Sequence, residues 1–199
     1  MVFKSSICTA ELDMLPMAEF SGQIAVIDSL GNDYERAIKY LSKQKILGFD
    51  TETKPCFSTN VKKNEVAILQ LSGMDRACIF KLRYIGLPKE LISILSSSGI
   101  IKVGAAVLDD IRALQRHARF LPKGFVDLQK IACNWGITEK SVRKMAAIIL
   151  GIRVSKSQQL SNWELQELTP SQVRYAAIDA WICRKMYLAL LCTPIKTEE

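Results

Sequence analysis

The sequence predicts an α/β domain, a mixed β-sheet flanked by helices, and three observations carry that prediction. Short apolar runs of strand length come first and include a hairpin. They then alternate with stretches of helical spacing, and the last third of the chain is helical throughout. A barrel or a helical bundle would repeat one kind of element from end to end.

Taken in order, residues 23–28 form a short apolar stretch, and residues 33–43 read as a helix. Ile46-Leu-Gly-Phe-Asp50 reads as a buried strand. The segment 54–65 carries Pro55, Ser58, Asn60, Lys62 and Lys63 and is expected to be a solvated loop. Strands at 66–72 and 77–82 follow, joined through Gly73-Met-Asp75 as a hairpin. Residues 87–97 are expected to be helical, 100–105 a strand, 108–119 a helix with Ile111 and Leu114 inward, and 125–128 a last short strand. Helices are then expected at 129–135, 142–150, 163–168 and 171–191.

The 199 residues suit one domain, with an N-terminal extension over 1–20, a core over 21–191 and a C-terminal tail over 192–199. No uncharged apolar tract of about 18 residues occurs, so no membrane partner is expected. Glu11 and Asp13 interrupt the start where a signal peptide needs its apolar region, and a cytoplasmic location is expected. Six scattered cysteines with no C-x-x-C pair fit reduced thiols better than a disulfide framework or a zinc site. The single histidine, His117, excludes any mechanism that needs two and is expected at the surface.

The net charge is +7, from 27 basic and 20 acidic residues. With four acids sequestered around metal ions, 27 basic residues face 16 acidic ones, a surplus of +11. Such a surplus attracts a phosphate backbone.

Acidic side chains are rarely buried unless paired or bound to metal, because desolvating their charge is costly. Asp50 and Glu52 end an apolar strand and, two residues apart, point to one side of it. Asp110 has Ala106, Val107, Ala113 and Leu114 as its helical neighbours, none of them basic, whereas Asp109 has Arg112 three residues on and can pair with it. Asp179 lies mid-helix among Tyr175, Ala176, Ile182 and Cys183, an apolar face bearing one acid and one phenol. Four such carboxylates suit hard divalent ions, Mg²⁺ or Mn²⁺, and two ions about 4 Å apart form a known arrangement for hydrolysing phosphodiesters. With no His or Cys cluster, zinc is disfavoured. No small-molecule cofactor is expected.

In this order, Gly48-Phe-Asp50-Thr-Glu52-Thr, Lys102-Val-Gly104 leading to Asp110, and Tyr175-Ala-Ala-Ile-Asp179 resemble the DEDDy 3′→5′ exonucleases, whose pattern is D-x-E, D, and Y-x-x-x-D. Val66-Ala-Ile-Leu-Gln70-Leu and Leu160-Ser-Asn-Trp163 extend the likeness, which runs over about residues 23–190. The chain is most similar to the Werner-syndrome exonuclease domain and its bacterial relatives, and more distantly to ribonuclease D. The resemblance implies a ribonuclease H-like mixed sheet with helices on both faces and a helical C-terminal third. It further implies two divalent ions on Asp50, Glu52, Asp110 and Asp179, with Tyr175 orienting the attacking water. Products would be nucleoside 5′-monophosphates, released from a nucleic acid with a free 3′ end, DNA favoured over RNA. The histidine variant of the family places its base where this chain has Arg174, so the tyrosine class is implied.

Thr53 and Lys54 are candidates to meet the terminal nucleotide. Arg112, Lys156, Arg143 and Lys144 are candidates for the phosphate path, with a solvated cation as the alternative for each. Trp163 is a candidate to stack on a base, with core packing as the alternative. Arg112 stands where Werner-type domains carry an aromatic, so handling of the terminus is expected to differ. Three readings compete: ribonuclease D-like trimming of RNA 3′ ends, a catalytically silent nucleic-acid-binding module, and an α/β interaction domain whose acids coincide by chance. A silent relative normally loses a ligand, and none is missing here. Chance does not readily leave both Asp110 and Asp179 without a local cation.

Overall fold

The computed structural model describes residues 3–56 and 64–195. Most of the loop expected at 54–65, and the end of the tail, lie outside these residues. Six strands form one mixed sheet in the order β1-β4-β3-β2-β5-β6. They are β1 (Gln23–Ile27), β2 (Ile46–Thr53), β3 (Val66–Ser72), β4 (Arg76–Lys81), β5 (Ile101–Gly104) and β6 (Phe125–Asp127). Strands β2, β3 and β4 run antiparallel in succession, while β1 pairs parallel with β4, and β5 and β6 extend the β2 edge in parallel.

Helices cover both faces, and the alternation of side chains along the strands decides what each face meets. Leu47, Phe49, Leu69, Leu71, Cys78 and Phe80 pack against α2 (Asn32–Leu41), α4 (Lys89–Leu95) and α5 (Val107–Leu114). The opposite face is covered by α8 (Pro170–Leu191), which packs in turn on α7 (Val142–Leu150) through a second core that includes Met145, Ile149, Ile182 and Met186. Shorter helices α3 (Leu82–Ile85) and α6 (Leu128–Ile131) follow strand ends, and a 3₁₀ turn, Ala132–Trp135, continues α6. This is the expected α/β architecture with helices on both faces.

Two features place the site. Helix α8 starts at a capping box: Thr169 Oγ1 accepts from the Gln172 amide at 3.2 Å, and Gln172 Oε1 accepts from the Thr169 amide at 3.0 Å. Pro170 follows at the first helical position, where its missing N–H costs nothing. The helix then lies very close to β2. A Cβ added to Gly48 would sit 1.7 Å from the Ala180 carbonyl oxygen, so only glycine permits this approach.

Two expectations need correction. Residues 163–168 are not helical; they form turns. Their backbone serves another residue, because the largely buried Lys81 ammonium donates to the carbonyls of Leu165 and Gln166, leaving those groups bound outside any helical ladder. His117 is not a free surface side chain: it is half-buried, with Nε2 3.0 Å from the Val66 carbonyl. The N-terminal residues also hold a short helix, α1 (Thr9–Asp13), capped by Cys8. They pack on the core through Ile7, Leu12 and Ala147, and through backbone bonds of Ala18 and Pro16 with Arg153 at 2.8 and 2.9 Å.

Candidate active site

Strand β2 runs on past its predicted end to Thr53, with a bulge at Glu52/Thr53. Asp50 and Glu52 therefore share the face that α8 covers. Tyr175 and Asp179, one helical turn apart, come down from α8 on the same place. One carboxylate oxygen from each of Asp50, Glu52 and Asp179 lies within 4.8 Å of the other two.

Asp110 arrives from the other helix layer, at the start of α5. Thr51, pointing to that side of β2, donates from Oγ1 to Asp110 Oδ1 at 2.6 Å. The turn that launches α5 is strained: Ala106 has φ of 55°, in the left-handed region that favours glycine. Its amide is held by Asp127 Oδ1 at 3.1 Å, and the same oxygen accepts from the Gln129 amide at 3.0 Å. Asp127 thus fixes the turn that presents Asp110.

Every acid in this group holds its proton above the ordinary carboxylate range. Burial, then the charges of Asp179, Glu52 and Asp110, push Asp50 well up. Burial and the charges of Asp179 and Asp110 push Glu52 up to about 9. Burial raises Asp179 to about 7 against the opposing effect of the hydrogen bond from Tyr175. Burial also raises Asp110 to about 6, moderated by Thr51. The Tyr175 phenol is pushed further above its already high value, by burial first and then by Asp179 and Glu52. Among the described residues, no ion pair involves Asp50, Glu52, Asp110 or Asp179. Converging oxygens without a neutralising side chain suit hard divalent cations, which take oxygen ligands and retain waters.

Asp50, Glu52 and Asp179 open into a cleft of about 330 Å³ that Lys140, Arg143, Lys156, Gln129, Gln159 and Cys183 also line, while Asp110 lies outside that lining. A second cavity of about 480 Å³ shares Tyr175, Asp179, Val154 and Ser155 with it, and the segment Met17–Phe20 forms one of its walls. Of the predicted contact residues, Lys156 lines the cleft, is exposed, and has no carboxylate partner among the described residues. Arg143 lines it too, but is bound to Asp13 at 2.9 Å. Lys144 pairs with Glu139 at 2.9 Å, and Lys54 with Glu164 at 3.3 Å. Arg112 pairs with Asp109 at 3.4 Å and lies outside the lining of the cleft, as does Thr53 at the end of β2. Trp163 is 0% exposed and packs against Tyr175, with ring centroids 5.9 Å apart, so it supports the phenol and cannot stack on a base. The sequence gives no sign of Lys140, Gln129 and Gln159 at the cleft, or of Asp127 behind it; only the path of the chain brings them there.

A family model described as 3′-5′ exonuclease matches residues 30–192 of this sequence. The chain belongs to the 3′-5′ exonuclease family. Its D-x-E, D and Y-x-x-x-D residues fall inside that match, as the DEDDy pattern requires. Exonuclease 3′-5′ domain-containing protein 2 of Mus musculus is 31% identical over 165 residues, which cover 77% of this chain and 25% of that protein. The bifunctional 3′-5′ exonuclease/ATP-dependent helicase WRN of Mus musculus is 29% identical over 184 residues, covering 85% of this chain and 13% of that protein. The chain therefore spans about a quarter or less of these curated relatives. Among solved structures, the Nibbler EXO domain of Aedes aegypti has a TM-score of 0.74 at 23% identity, covering 86% of this chain and 90% of that one. Escherichia coli RNase D has a TM-score of 0.73 at 20% identity, covering 86% of this chain and 44% of that one. These two share the ribonuclease H-like fold.

Proposed function

We propose that this chain is a divalent-metal-dependent 3′→5′ exonuclease that releases nucleoside 5′-monophosphates from a nucleic acid with a free 3′ end. The observation that carries the reading is the group of inward-facing carboxylates that have no ion-pair partner among the described residues. Asp50, Glu52 and Asp179 would hold one ion between them, and Asp110 with Asp50 a second. When bound, Mg²⁺ or Mn²⁺ supplies the positive charge that acidifies a water and stabilises the departing 3′-oxygen.

The chain's own groups do the rest. Tyr175 stays a neutral phenol at working pH, because its proton is held more tightly than usual. It can therefore orient the attacking water by hydrogen bonding but does not remove its proton. Lys156, which lines the cleft without a carboxylate partner among the described residues, would meet a substrate phosphate, and Lys140 adds a second positive charge to the wall. We favour DNA over RNA on the likeness to the Werner-type exonuclease, 29% identical over 184 residues. We also place the activity in the cytoplasm, in keeping with cysteines that are scattered along the sequence without a C-x-x-C pair.

The test is digestion of end-labelled single-stranded, duplex and recessed DNA and RNA with Mg²⁺, Mn²⁺ or EDTA. The expected outcome is a ladder of one-nucleotide steps from the 3′ end that EDTA abolishes, and that Glu52→Ala or Asp179→Ala abolishes without unfolding the protein. Near-normal Mn²⁺-dependent activity in either variant would defeat the assignment. Faster trimming of RNA than of any DNA would shift the reading to the ribonuclease D-like alternative.

A further inference from the structure

Strand β3 is buried along its whole length, and beyond the register shift, from Ile68 to Ser72, the alternation of its side chains explains all but one of them. Leu69 and Leu71 enter one core, and Ile68 packs under α8 with Ile79, Trp163 and Ala176. Ser72 on the α8 side donates to the Gly73 carbonyl at 3.2 Å. Gln70, between Ile68 and Ser72 on that same face, is 0% exposed, and neither its Nε2 nor its Oε1 has a hydrogen-bond partner. No other described side chain has both ends of a polar group in this condition. An amide buried this way is costly to fold, and a leucine or methionine would fill the space without that cost.

The register shows what lies next to it. Gln70 is paired across the strands with Asp50, flanked by the Glu52/Ile68 pair on one side and the Gly48/Ser72 pair on the other. Residues directly opposite in an antiparallel pair carry their Cβ atoms about 5 Å apart on one face, within reach of a glutamine side chain. Helix α8 covers the flanking rows with small, fully buried residues, Ala180 against Gly48 and Ala176 beside Ile68. An amide with two free ends therefore sits directly across the strands from a member of the acid cluster.

We infer that Gln70 is a positioning residue for Asp50: its side-chain N–H donates to the Asp50 carboxylate when divalent cations occupy the cluster, fixing the direction in which its oxygens face. The inference rests on the cation-binding reading of the acid cluster. Carboxylates that bind metal are commonly held by such a neighbour, whose loss weakens metal binding or activity about 10- to 100-fold.

The test compares the parent with Gln70→Leu and Gln70→Met, using Mn²⁺ titration calorimetry without substrate, thermal melting in EDTA, and steady-state digestion of a labelled oligonucleotide. Both variants should melt at or above the parent in EDTA. Both should bind Mn²⁺ at least about 10-fold more weakly, and lose kcat while keeping the parental KM for the oligonucleotide. Gln70→Glu, which cannot donate when ionised, should not restore binding. Parental Mn²⁺ affinity in the leucine and methionine variants overturns the inference, as does a loss of folding in both, which would make Gln70 structural. A parent that itself binds no Mn²⁺ refutes instead the metal-dependent reading on which the inference stands.

Discussion

Replacing Asp179 with asparagine should make the cation-free protein more stable while destroying its activity. Asparagine matches the protonated acid in size and charge. Inside the fold the Asp179 proton is held up to about 7, against an ordinary 3.8. Each unit corresponds to about 1.4 kcal/mol, so ionising this group in place costs up to about 4 kcal/mol. The side chain is only half-buried and faces an open cleft, where water screens part of that cost, leaving about 2 kcal/mol. A carboxyl with a raised folded value binds its proton more tightly in the native state. Its stabilising contribution is complete below the unfolded value, falls as pH rises, and is lost above about 7. Parent and Asp179→Asn should therefore melt together at the acidic end and diverge by pH 8. For a domain of this size, about 2 kcal/mol is about 4–8 °C in Tm. The assay is thermal denaturation in EDTA at a series of pH values, repeated with Mn²⁺. Added Mn²⁺ should raise the parent's Tm, increasingly with pH, and should raise that of the variant far less. A variant that melts at or below the parent in EDTA at pH 8 would show that the acids are not held at a cost, and would refute the reasoning.

Three further outcomes follow from the same geometry. Gly48→Ala should destabilise by about 3 kcal/mol or more, measured by urea unfolding, because the new methyl meets the Ala180 carbonyl of α8 and overpacks the sheet–helix seam; an unchanged midpoint would mean that the helix can move away freely. Tyr175→Phe should cut kcat about 10- to 100-fold and leave Mn²⁺ affinity intact, since it removes only a hydrogen bond; an unchanged rate would end the catalytic role of the phenol. Lys156→Ala should weaken oligonucleotide binding similarly for all sequences and lower the salt slope by about 1, whereas Arg112→Ala, away from the cleft, should do neither.

The acids were legible because their neighbours in sequence predict their neighbours in space. Alternation along a strand puts Asp50 and Glu52 on one face. A helical turn links Tyr175 to Asp179, and the Arg112 three residues after Asp109 marks that acid as the one that pairs at the surface. What could not be read depends on long-range partners. The strained turn at Ala106 depends on Asp127, twenty-one residues later. Residues 163–168 carry a helical pattern, yet the Lys81 ammonium, itself from β4, takes two of their carbonyls. Lys140 reaches the cleft from the loop ahead of α7, a placement no local spacing encodes. Trp163 shows both sides: its sequence neighbourhood marks it for notice, and only its burial against Tyr175 decides between stacking on a base and supporting the phenol.

The central claim, that these side chains exist to gather divalent ions, is tested most directly by anomalous diffraction from crystals soaked in Mn²⁺ above pH 8. The account predicts two strong peaks, one enclosed by Asp50, Glu52 and Asp179 and one between Asp50 and Asp110, both lost in Asp50→Asn. Crystals that diffract well but show no peak at those oxygens, or that show it undiminished in the variant, would contradict it.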